Sequence, residues 1–343
     1  MYGSLIPEIN NDLKKTNKAI ISLGCSFVQG HGAIDEHIYR NYKWEGSSVG
    51  HSVVHWKLNK EDEKRILQEY PELMIDVNGT INFSFHEHNN SFVNVLCKKY
   101  FNGEYTPINL GRSGNGNRAT IKELYFYPDI NWDDIKETIV IYCPTGGERV
   151  DFMDDMHFKP NDHPGWVTAW PNTADDGKGA RNKLWSGIKE SLNSVKFQIL
   201  EQIAHVQELM LWCKYKNAKL IVVPAFMQHF YSREFFLKEI NRVVFRKDVE
   251  GLQKITDPNE YDKSLEKVVD MWPWSNMFSP DNTPSFADYC LQQEFGSWQA
   301  APYFYTYLGK GSPDLWISPC CHPSKKSHDA FAKVLHKHIM EKL

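Results

Sequence analysis

The sequence predicts an α/β fold, a doubly wound parallel sheet whose strands carry large insertions at one rim. Three observations lead there. Four short apolar runs, at residues 19–23, 107–110, 138–142 and 218–223, have the length and the Ile/Val content of buried strands. Segments of helical period alternate with them, and that alternation favours a parallel sheet with right-handed crossovers. Each run ends in glycine, proline or polar residues, so Ser26, Gly111, Thr145 and Ala225 fall just past strand ends. Such sheets bind ligands beyond the carboxyl ends of their strands.

Residues 1–17 are polar and lack the apolar centre of an export signal. The first strand follows and places Ser26 on a glycine-containing turn. Phe92, Val95, Leu96 and Lys99 trace a helix that Asn90 or Ser91 would cap, and residues 119–126 read as another. The clearest helical period covers 183–215, through Leu184, Ile188, Leu192, Phe197, Leu200, Ile203, Val206 and Met210. Residues 324–343 repeat Phe331, Val334, Leu335, His338 and Ile339, an amphipathic helix that closes the fold. Three stretches exceed a minimal core: 31–89, 151–181 and 229–311. Long excursions from one rim read as a lid or a partner surface on a single domain spanning 1–343.

Composition excludes several classes of function. The chain has 343 residues and a net charge of −4, with no basic footprint for nucleic acid. No apolar run approaches the ~18–20 residues of a membrane span. A cytoplasmic or virion-associated protein is expected, and the many Asn, Lys, Ile and aromatic residues suit a phage-encoded one. The seven cysteines are scattered apart from Cys320-Cys321, which suggests a reducing compartment. Cys25, Cys97, Cys143 and Cys213 read as small core residues. Many of the eleven tryptophans and other aromatics fall between Trp166 and Trp316. They would build either a local core or a surface for a carbohydrate or another large ligand.

Three motifs carry chemistry. Ser22-Leu23-Gly24-Cys25-Ser26-Phe27 resembles the first block of the SGNH (GDSL-type) hydrolases, whose glycine-x-serine turn bears the nucleophile. Asn109-Leu110-Gly111-Arg112-Ser113-Gly114 resembles the second block, whose glycine offers an N–H to an oxyanion. His322-Pro323-Ser324 is similar to the last block, where the histidine is the base. The resemblance covers the α/β core, about half of the chain, and implies a flavodoxin-like sheet of SGNH type. It also implies an ester hydrolase that works through an acyl-enzyme without metal or organic cofactor.

The chemistry needs these residue types. A serine hydroxyl is a weak nucleophile until an imidazole takes its proton. The tetrahedral intermediate then needs donors already aimed at its oxyanion. The resemblance assigns that role to the N–H groups of Ser26 and Gly111, helped by Thr145 or Asn115. Two positions depart from the family pattern. The third block reads Cys143-Pro144-Thr145-Gly146-Gly147-Glu148-Arg149, without the usual asparagine, so Thr145, Arg149, Asn115 or Asn117 would substitute. The aspartate three residues before the base is Pro319 here, and Asp314 lies too far away to replace it. A backbone carbonyl, or Asp151, Asp154 or Asp155 after the third strand, would then orient the ring.

Other motifs read as structure. Cys320-Cys321-His322 with Cys25 or Cys143 lacks the Cys-x-x-Cys spacing that suits zinc. The His86-Glu87-His88 run reads as a solvated strand or loop. Residues 111–116 lack the Gly-Lys-Ser/Thr ending of a phosphate loop. The expected substrate is a small-molecule or glycan ester, with an O-acyl carbohydrate first. The rival expectation is a degenerate SGNH fold, a binding or structural module that contacts a protein partner through its insertions.

Overall fold

Strand β1 (Lys18–Leu23) lies inside a four-stranded, all-parallel sheet with β2 (Thr106–Asn109), β3 (Glu137–Tyr142) and β4 (Lys219–Val222). The order is β2-β1-β3-β4. The computed structural model describes residues 2–42, 44–45, 57–75, 81–112, 116–126, 130–145, 150–153, 166–169, 195–226, 233–234, 237, 263–302, 304–307 and 310–342. Register pairs Ile21 with Ile108 on one side and with Val140 on the other, and Leu220 with Val140. The ladder continues to the rim through Arg112 N–H to Gly24 O at 3.0 Å, Cys143 N–H to Leu23 O at 2.8 Å and Ala225 N–H to Pro144 O at 3.0 Å.

Alternation along the strands builds a core on each face. On one face Ile20, Ile139, Ile141 and Ile221 meet Phe92, Leu96, Phe286, Phe331 and Leu335. On the other, Ile21, Leu23, Ile108, Val140 and Val222 meet Leu13, Ile121, Leu124, Val206 and Leu209. A fully buried Ile or Leu contributes about 1.5–3 kcal/mol, so both faces must be covered. The covering helices are α1 (Tyr2–Thr16), α4 (Asn117–Phe126) and α5 (Val195–Tyr215) on the second face. On the first they are α3 (Phe92–Val95), α6 (Phe286–Phe295) and α7 (Lys325–Lys342). Helix α2 (Ser26–Gln29) is the single turn that leaves β1. This is an α/β architecture compatible with double winding.

All four expected strands are present within one residue or so of their expected ends. The helix at Phe92 is shorter than its period suggests, because Leu96–Tyr100 continues it as a π-turn. Ser91 stands at its N-cap, yet its hydroxyl donates to His88 O at 2.7 Å. The first amide of α3 is held instead by His328 Nδ1 at 3.1 Å, tying α7 to α3. The long helical period is realised from Val195 onward, and residues 183–194 lie outside the described residues.

Part of the expected rim insertions belongs to the core. Phe286, Tyr289, Cys290 and Leu291 pack in the first-face core, and Trp272 in the second. The described aromatics Trp272, Phe278, Phe286, Tyr289 and Tyr307 are buried, so these side chains serve packing and not a ligand surface. Ile34, Ile38, Tyr42, Ile66, Leu73, Ile81 and Phe83 form a small core of their own. Val150–Met153 and Trp166–Ala169 pair as an antiparallel ribbon. No helix among the described residues is long and apolar enough to cross a membrane.

Candidate active site

The sheet brings Ser26 and His322 together. β1 delivers Ser26 as the first residue of α2, with Cys25 as the extended N-cap. His322 comes from the tight turn before α7. There Cys321 N–H donates to Ser318 O at 2.9 Å and Ser318 N–H to His322 O at 2.9 Å. The Ser318 hydroxyl also donates to His322 O, at 2.9 Å. Cys321 closes the turn in the left-handed region, φ 58°. The short antiparallel bridge of Ile317 with Pro323 clamps its base.

His322 Nε2 stands 2.8 Å from Ser26 Oγ, and Nδ1 stands 2.8 Å from the carbonyl oxygen of Cys320. A carbonyl only accepts, so Nδ1 carries the proton and Nε2 is left as the acceptor for the serine hydroxyl. This is the tautomer a general base requires. The backbone carbonyl of Cys320 thus holds the ring, one of the two kinds of group expected there. Of the carboxylates considered, Asp151 pairs through its backbone with Thr168 in the ribbon, while Asp154 and Asp155 lie outside the described residues.

The expected oxyanion donors separate. Ser26 N–H is a first-turn amide, a position without an intrahelical acceptor. Gly111 N–H donates to Asn109 Oδ1 at 3.0 Å. Glycine is required at 111 for a packing reason. A Cβ there would stand 2.5 Å from Gln29 N and 2.7 Å from Val28 Cβ, in the turn that carries Ser26. Asn109 is the buried hub of this contact, donating to Val28 O at 3.0 Å and Ser91 Oγ at 3.0 Å and accepting from Ser22 Oγ at 3.2 Å.

Thr145, at the end of β3, is fully buried, and its hydroxyl is one of the few buried polar atoms without a hydrogen-bond partner among the described residues. Asn117 holds its backbone on both sides, accepting from Thr145 N–H at 2.8 Å and donating to Thr145 O at 3.1 Å. The Asn117 amide is thus occupied in fixing Thr145. Asn115 and Arg149 lie outside the described residues.

Two aromatic rings pack against His322. The His31 ring meets the His322 ring edge-on, with centroids 5.2 Å apart, and Phe27 packs at 5.3 Å. His31 Nε2 faces Glu87 Oε2 at 3.9 Å. The His86-Glu87-His88 run is not a solvated strand or loop. It lies on the helix Ser84–Asn90, and Glu87 accepts from Gly32 N–H at 3.0 Å. Burial pushes His31 down to about 4 and the Glu87 carboxyl up to about 7.

The seven cysteines are buried and unbridged, and burial pushes the thiols of Cys320 and Cys321 up to about 12. Among the described residues no group of three His, Cys, Asp or Glu is arranged to hold a metal. A cavity of about 520 Å³ adjoins the base-bearing segment through Ser324, with Ile34, Tyr39, Asn94 and Asp329 in its wall. Ser26 and His322 do not line it. Comparison with protein-family models finds no match, and comparison with curated proteins finds none either.

Proposed function

We propose that this chain is a serine hydrolase of SGNH type that cleaves a carboxylic ester through an acyl-enzyme on Ser26. The observation that carries this reading is the pair of 2.8 Å contacts that put His322 Nε2 on Ser26 Oγ and Nδ1 on Cys320 O. Ser26 Oγ attacks the ester carbon as its proton passes to Nε2, and the carbonyl π-electrons become the oxyanion. Collapse expels the alkoxide, which takes the proton from His322. Water then repeats the sequence, losing its proton to Nε2 and releasing the acid and Ser26.

Ser26 N–H and Thr145 Oγ1 are the proposed oxyanion donors. The buried hydroxyl of Thr145, without a partner, suits a group that completes its hydrogen bonds only when an oxyanion forms. With a carbonyl dipole behind the base, the imidazolium is less favoured than it is beside a carboxylate. The reading of residues 31–89 and 151–181 as a rim lid, and of an O-acyl carbohydrate as the first substrate to try, belongs to the same proposal.

The test is intact-mass analysis after incubation with a fluorophosphonate, with Ser26→Ala and His322→Ala in parallel. A single adduct on Ser26, absent from both variants, is expected. Folded wild-type protein that takes no adduct overturns the reading in favour of a binding module. Labelled protein then goes to O-acetylated carbohydrates, acyl thioesters and aryl esters of graded chain length.

A further inference from the structure

Both ring nitrogens of His322 are engaged, Nδ1 by Cys320 O and Nε2 by Ser26 Oγ. A carboxylate therefore has no ring nitrogen to take, yet one lies a single side chain away. Glu87 is held by Gly32 N–H on Oε1 at 3.0 Å and turns Oε2 toward His31 Nε2 at 3.9 Å. The same His31 ring also meets His322, edge-on at 76° with centroids 5.2 Å apart. The Glu87 side chain is 16% exposed and that of His31 9%, so water screens these groups only weakly.

We propose that Glu87 is the anionic counterpart of His322, a positioning residue that favours its imidazolium across the ring of His31. This rests on the reading of Ser26 and His322 as nucleophile and base.

The other titratable groups around Glu87 and His31 are each held largely to one form. Tyr39, whose hydroxyl donates to Gly32 O at 2.9 Å, is pushed well up by burial, and Cys320 is pushed up to about 12. His328, on the α7 side, is pushed down to about 3 and His31 to about 4, so both stay neutral near pH 7. His86, on the helix of Glu87, pairs with Glu72 at 2.7 Å, and His88 is pushed down to about 4. Burial raises the Glu87 carboxyl to about 7, so a positive charge on the far side of His31 would favour its ionised form.

The experiment follows the His322 ring resonances by NMR against pH in wild-type protein, Glu87→Gln and Glu87→Asp, alongside the fluorophosphonate labelling rate. Glutamine keeps an oxygen for Gly32 N–H and removes the charge. Wild type is expected to show two ionisations at His322. Glu87→Gln should show one, with an apparent pKa lower by about one unit. Its plateau labelling rate should fall about tenfold, with the acid limb moved to lower pH, while Glu87→Asp keeps two ionisations. The wild-type titration needs no variant to fold, and a single step there overturns the proposal. So does an unshifted His322 in Glu87→Gln. A shifted His322 in a wild-type protein that takes no label upholds the charge coupling and sinks the nucleophile reading instead.

Discussion

The backbone of Gly32 runs against His322 so closely that a Cβ on residue 32 would stand 3.1 Å from His322 Cβ and 2.3 Å from Ser318 Oγ. Gly32 also has φ +80°, which side chains rarely adopt. The position of His322 is thus fixed from the outside by a residue close behind the turn that carries Ser26. Gly32→Ala is expected to cost about 1–3 kcal/mol by urea unfolding and to abolish Ser26 labelling in the protein that still folds. Labelling at the wild-type rate would show that the turn tolerates displacement.

Asn109 and Gly111 seat the turn that carries Ser26. Asn109→Ala removes a buried side chain that links Ser22, Val28, Ser91 and Gly111, and is expected to destabilise by about 2–4 kcal/mol. Gly111→Ala drives a methyl into the backbone of Gln29 and should lower labelling more than it lowers Tm. Thermal unfolding and probe kinetics on the same samples separate the two effects.

Thr145→Val replaces an unpartnered buried hydroxyl with a methyl of similar shape. Removing an unsatisfied polar group should raise stability by about 1 kcal/mol. If the hydroxyl serves the oxyanion, acylation of Ser26 by an activated ester should fall by roughly 10²–10³-fold. Higher Tm with unchanged acylation would assign Thr145 to packing alone.

Stability should depend on pH through buried groups of opposite sign. Folded His328 and His31 titrate near 3 and 4, against 6.5 for an ordinary imidazole. Their stabilisation is complete above pH 6.5 and is lost as pH falls toward those values, because the unfolded chain then binds the extra protons. Glu87, raised to about 7 from 4.5, acts the other way and withdraws its contribution as pH rises through 7. The urea midpoint is expected to be lower at pH 4.5 than at pH 6.5. Glu87→Gln should gain stability over wild type at pH 8 and not at pH 4.5.

The four strands were legible because Ile and Val runs of strand length, buried on both faces, leave little other conformation open to them. Ser26 and His322 were legible through the turn and the His-Pro start of a helix that carry them. The residues around them were not. Gly111 occurs in a motif that suggests an oxyanion donor, and only the approach of Asn109 Oδ1 shows where its amide points. Glu87 was hidden in a run of alternating polar residues, since sequence does not reveal that a helix turns one carboxyl inward beneath Gly32.

Helices α1 and α6 cover the sheet from stretches that read in sequence as a polar lead-in and a rim insertion. The sequence by itself determined the α/β layering, the rim where Ser26 and His322 meet and the periods of α4, α5 and α7. These follow from local period and burial, which short stretches of chain encode. Tertiary structure alone decided what orients the base. The answer is the carbonyl of Cys320, a group every residue has and no motif marks. It also decided what neighbours His322: His31 meets its ring, and Glu87 meets His31, only when three distant segments pack together.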